Sequence, residues 1–161
     1  MSTKTKTTAL FAAIALWALV VIGVAFLGLF IPILSSELSE TYAEYAGDSL
    51  TIQVLLSSVV ATGMVTLTSI AWLVLRLKNS KLLLEPSLRV VSVLMFSLFG
   101  VAASFAALLT WLSVKNTLPP SILLFLLVAI LLAIAAAFVV ASLKSVLQEA
   151  TAARQELEGV I

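Results

Sequence analysis

The chain has 161 residues, of which 62% are apolar and only 11% are charged. Soluble domains average about half apolar and about a quarter charged, so too few ionic groups exist here to cover a water-facing globule. With no cysteine and no histidine, disulfides, thiolate chemistry, the commonest metal ligand and the commonest general acid/base are all excluded.

A hydrocarbon core about 30 Å thick needs about 20 mostly apolar helical residues to cross it. Four stretches meet that test without a charge: Ala9 to Leu34, Leu50 to Leu75, Val90 to Leu112 and Ile122 to Leu143. None shows the alternation of a barrel strand. The expected fold is a single all-α domain over residues 1–161, a bundle of four transmembrane helices with a C-terminal helical extension at 144–161.

Lys4 and Lys6 imitate the basic start of a secretory signal. A signal core, however, is about 7–15 residues long, so this much longer run reads as a retained span. Pro32 falls near its end, where a missing donor matters little. Trp17 lies deeper and reads as packing against a helix or lipid. The segment Ser35 to Ser49 is acidic, with Glu37, Glu40, Glu44 and Asp48, and Ser36 is placed to cap a short helix containing Tyr42 and Tyr45.

On the second span Ser58, Thr62, Thr66 and Ser69 recur at helical spacing. Ser97, Gly100, Ser104 and Ala107 do so on the third, and Ala129, Ala133, Ala137 and Ala141 on the fourth. Small residues on one face let membrane helices approach closely, and hydroxyls bond across or back to their own carbonyls. The competing reading is a hydroxyl-lined pore or groove. Trp72 and Trp111 fall near span ends, as amphipathic rings at a headgroup boundary do. Pro86, and Pro119 with Pro120, precede the third and fourth runs, where proline suits a first helical turn.

If the helices alternate, eight of nine basic residues fall on one side and Lys115 alone on the other. The positive-inside rule then puts both termini on the cytoplasmic side of a cell membrane. Arg76, Lys78, Lys81 and Arg89 form the middle connection around Leu82, Leu83 and Leu84. They serve either as topology signals alone or as contacts to the headgroups of an anionic leaflet.

No ionisable side chain occurs within the four runs. That argues against a proton-coupled pump, and against small multidrug exporters that need a membrane carboxylate. Quinone-reducing four-span enzymes need paired cysteines, and no phosphate loop or nucleophile constellation is present. We therefore expect no enzyme, no cofactor, no metal and no direct nucleic-acid binding.

In the tail, Leu143, Val146, Ala150, Ala153, Leu157 and Val160 follow a three-four spacing, the pattern of a short coiled-coil seam. Two readings stand for this face. It packs on the protein's own basic loop or the lipid surface, or it docks a partner helix or a second copy.

The segment Glu44-Tyr45-Ala46, the stretch Lys78-Asn79-Ser80-Lys81 through Arg89, and the ending Leu147-Gln148-Glu149-Ala150-Thr151 through Val160-Ile161 carry a resemblance. With the four-span plan, they look like the bacterial membrane family catalogued as domain of unknown function 2975, the tail being most similar to its actinobacterial branch. Relatives place a proline shortly after the Glu-Tyr-Ala segment, where this chain has Gly47-Asp48-Ser49, so that loop is expected to differ in shape. The resemblance implies a membrane protein without assigned activity, often encoded beside a small Xre/Cro-type helix-turn-helix regulator. It thus implies a chain that binds or restrains such a regulator, with the tail and basic loop as docking surfaces. The alternative is a permeation path for a small uncharged or lipophilic solute. A third reading is lipid binding or self-assembly into a homo-oligomer.

Overall fold

A computed structural model describes residues 3–78 and 85–160. The first span begins as α1 (Thr3–Ala25), passes through a π-helical turn (Phe26–Phe30) and continues as α2 (Ile31–Thr41). Three further helices follow: α3 (Ser49–Lys78), α4 (Glu85–Val114) and α5 (Pro120–Gly159). Among the described residues there is no strand, and the four spans are long and apolar enough to cross a membrane. This is an all-helical, multi-pass membrane architecture.

The first span does not stop near Pro32. Proline cannot donate to the carbonyl four residues back, and its ring crowds that carbonyl. The preceding turn widens instead: the Ile31 N–H donates to the Phe26 carbonyl, five residues earlier. The helix absorbs the proline and runs on to Thr41. The wider turn also preserves the packing face. Ala9 and Ala13 are buried, Gly23 and Leu27 half-buried, and Ile31 and Ser35 buried again. From Gly23 onward these steps are all fours, which would drift off one face of a straight α-helix of 3.6 residues per turn. The π turn cancels that drift.

Ser36 is not a helix cap. It lies within α2 and donates to the Ile33 carbonyl at 2.8 Å, the back-bonding that serine adopts inside a helix. Tyr42 is extended, and Ala43–Tyr45 is one 3-10 turn rather than part of a longer helix.

Close packing follows chain order. The first span lies against α3, α3 against α4, and α4 against α5, while the first and last spans share at most a marginal contact. Of the four spans α4 has the largest share of its apolar window covered by protein, 28%, and the first span the smallest, 6%. The result is an open bundle, with α3 and α4 inside and the first and last spans at its edges.

Small residues set its spacing. A Cβ at Gly100 would stand 3.2 Å from Thr62 Cγ2, so the glycine is what lets α3 and α4 approach. Beside it, Thr66 Oγ1 lies 2.9 Å from Ser97 Oγ, a hydrogen bond between the two helices. Ser97 in turn donates to the Leu94 carbonyl at 2.8 Å. Ala133 and Ala137 are buried on the inward side of α5, with Ala129 and Ala141 half-buried. Ser104 is buried on α4, whereas Ala107 is exposed and does not belong to that seam. A three-four repeat carried one step too far had turned away from α3.

The short connections at the far end from the tail are tied together. Tyr45 stacks on Trp111 with ring centroids 5.6 Å apart and planes 23° apart. Lys115 forms a salt bridge with Asp48, whose backbone carbonyl accepts the Ile52 N–H that opens α3. Helix α4 ends with Asn116 in the left-handed region at φ 55, while the Thr117 N–H reaches the Leu112 carbonyl and the Asn116 N–H that of Ser113. That pair of bonds closes a Schellman motif. Gly47, at φ 83, makes the bend that brings Asp48 under Lys115.

Gly100→Leu overpacks the α3–α4 contact and should lower stability in detergent by about 1–3 kcal/mol, read as thermal loss of helical circular dichroism. Gly23→Ala meets only the flexible Met64 side chain, at 3.0 Å, and its change should stay within about 1 kcal/mol. Equal losses would remove the special role of Gly100. At the far end, Trp111→Ala should open the 42–48 connection to chymotrypsin at Tyr42 and Tyr45. Lys115→Gln, in a part-exposed pair, should cost no more than about 1 kcal/mol.

Candidate functional site

Helix α5 has 40 residues against 30 in α4, so its last turns run past the start of its neighbour. At about 1.5 Å per residue it is about 60 Å long, twice the hydrocarbon thickness. The side turned toward α4 carries Leu126, Ala133 and Ala137, then half-buried Lys144 and Leu147, then buried Thr151. Thr151 satisfies its hydroxyl on the Leu147 carbonyl at 2.7 Å.

The apolar seam expected in the tail faces elsewhere. Leu143 is 55% exposed, Val146 61% and Leu157 72%. Ala153 is exposed too, and Ala150 is half-buried at the edge of the α4 contact. From Ala152 to Val160 every described side chain is exposed. The inward register was hard to see in sequence because Lys144 and Thr151, two polar residues, occupy it.

Hydroxyls of α3 bond back to carbonyls of their own helix. Thr62 donates to the Ser58 carbonyl at 2.8 Å, Thr68 to Met64 at 2.8 Å and Ser69 to Val65 at 2.7 Å. Each of these three hydroxyls is satisfied on its own helix, as hydrocarbon demands. What α3 does carry is a groove of about 500 Å³ on its uncovered face. Its floor is Val65, Thr68, Ser69 and Trp72, with Leu27 of the first span on one side and Val90 and Val93 of α4 on the other. At Ala61 it meets a second hollow of about 530 Å³ that passes Ser57 and Gln53 to Leu50.

Of the four basic residues expected near headgroups, two flank the end of this groove. The Arg76 guanidinium lies 4.2 Å from the centre of the Trp72 ring. Arg89 is exposed beside Val90, one helical turn before Val93. Lys78 is the last residue of α3, and Lys81 lies outside the described residues. The groove itself could not be read from sequence, because its walls come from three helices. Among the described residues, no group of three or more acidic, cysteine or histidine side chains is placed to hold a metal.

No curated protein and no solved structure matches the chain. One family does, over residues 5–161, nearly the whole length. Its description, Protein of unknown function (DUF2975), assigns no chemistry. Four apolar helices and that match agree with the resemblance carried by the tail and the basic connection, and the chain belongs to the DUF2975 family.

Proposed function

We propose that this protein is a non-enzymatic, multi-pass membrane protein whose tail docks a cytoplasmic protein, the 76–89 connection assisting. A helix-turn-helix regulator of the Xre/Cro type is the partner that the family resemblance suggests. One observation carries the reading: the apolar stripe through Val146 and Leu157 is exposed on a continuous helix whose earlier turns pack on α4. Holding the helix beforehand lowers the ordering cost of docking, since the tail need not fold on contact. An amphipathic helix laid into a groove, anchored at three-four spacing, is a common mode of such recognition.

The charge pattern supports the same side. Both termini and the basic connection lie on the face with eight of the nine basic residues, which the positive-inside rule assigns to the cytoplasm. Permeation of a small solute between the spans has weaker support. The α3 hydroxyls bond to their own helix, and the groove lies on an uncovered face rather than between the four spans.

The test is binding of a purified Xre/Cro-type helix-turn-helix regulator to the full chain held in lipid nanodiscs. Leu157→Glu should weaken binding roughly tenfold or more, as loss of a buried apolar anchor does. Gln155→Ala, off the stripe, should leave it unchanged. Binding as tight as that of the unaltered chain, by Leu157→Glu and by a chain truncated after Lys144, would remove the tail from the interaction.

A further inference from the structure

The groove across α3 has a shape and a charge that together specify an occupant. From Trp72 to Ala61 it follows eleven residues of helix, about 16 Å at about 1.5 Å per residue. That is close to half of a hydrocarbon core of about 30 Å, the depth of one leaflet. Its lining is almost entirely apolar, and the one buried hydroxyl in it, Ser69, is already bonded to the Val65 carbonyl. Nothing in the groove therefore asks for a polar guest. A hydrocarbon chain fits it.

The end near the α3–α4 connection is different. Arg76 stands one turn beyond Trp72 on the same face of α3, its guanidinium against the indole. Arg89 stands across from it on α4, one turn from the groove residue Val93. Contacts between Thr62 and Gly100 and between Thr66 and Ser97 establish the antiparallel register that brings these two arginines within one helical turn of the same level. An arginine presents a planar fork of donors that matches phosphate oxygens. Stacking on Trp72 restricts where one fork points without consuming its outer N–H groups. The apolar stretch and the cationic mouth are thus arranged in the order of a phospholipid, tail first and headgroup last.

We propose that this groove is a binding site for one anionic phospholipid, with an acyl chain along Val65, Thr68 and Trp72 and the headgroup phosphate between Arg76 and Arg89. The site shares Arg76 and Arg89 with the 76–89 connection but nothing with the tail face, so its failure would leave docking by the tail untouched. It differs from a diffuse attraction of the basic connection to the membrane, because it requires the groove and two particular arginines.

Trp72 forms part of the groove and reports on it directly. In a Trp17→Phe, Trp111→Phe background it is the sole tryptophan, and phenylalanine retains an aromatic ring against Tyr45. The protein is reconstituted in phosphatidylcholine vesicles that contain a small fraction of phosphatidylglycerol with brominated acyl chains. Bromine quenches indole fluorescence only near contact. Quenching should exceed that from the same fraction of brominated phosphatidylcholine severalfold. Arg76→Gln with Arg89→Gln should abolish this excess, with roughly a tenfold or greater loss of selectivity. Lys4→Gln with Lys144→Gln removes two charges from the same membrane face and should leave the excess in place. Val65→Phe, which fills the groove while keeping both arginines, should also reduce it. Equal quenching by the two lipids, or an equal loss in the Lys4 and Lys144 variant, would overturn the site in favour of general surface attraction.

Discussion

Hydrocarbon offers no hydrogen-bond partner, and most of this fold follows from that single fact. Every backbone donor and acceptor within a span must find its mate inside the protein, so each span is one helix. Side-chain hydroxyls obey the same demand. On α3 and α4 they reach back to carbonyls three or four residues earlier, and Thr66 with Ser97 adds a contact between helices. Thr66 has one proton for two acceptors, the Thr62 carbonyl and Ser97 Oγ, so the cross-helix bond competes with the local one. Hydroxyls satisfied in this way make good spacers for close helices.

The same demand explains the first span. A proline within a spanning helix leaves one carbonyl short of its donor, and a broken helix would leave several more. Widening one turn lets the Ile31 N–H bond five residues back and the helix continue. Proline here does not end a span; it adjusts the phase of its packing face, which stays aligned through Ile31 and Ser35. Because lipid tails are as apolar as leucine, association is driven by fit rather than by expulsion of water. Gly100, Ala133 and Ala137 supply that fit, and the large side chains Phe96, Leu131 and Phe138 face outward.

The four spans were legible from composition alone, since a charge-free run of more than 20 residues has few other uses. Their ends were less so. Pro32 looked like a boundary because its local effect is strong, yet the neighbouring turn accommodates it. Ser36 looked like a cap because serine often is one, yet the helix had not ended. The tail was legible as one long helix but not in its orientation, because Lys144 and Thr151 hold inward positions that an apolar count passes over. Tyr45 with Trp111, and Asp48 with Lys115, were invisible as pairs. Each joins residues more than sixty positions apart, and no local pattern encodes such a meeting. The groove and its two arginines likewise needed the register of three helices.

Close packing of each helix on its neighbours in the chain has a consequence for how the molecule comes into being. As the ribosome releases each span, the surface it will lean on has already entered the bilayer. No early segment has to wait, half-covered, for a distant one. Sequence-local contacts of this kind make loop closure inexpensive in entropy and assembly fast. The order of synthesis can therefore serve as the order of folding, from the lysine-bearing start to the long final helix.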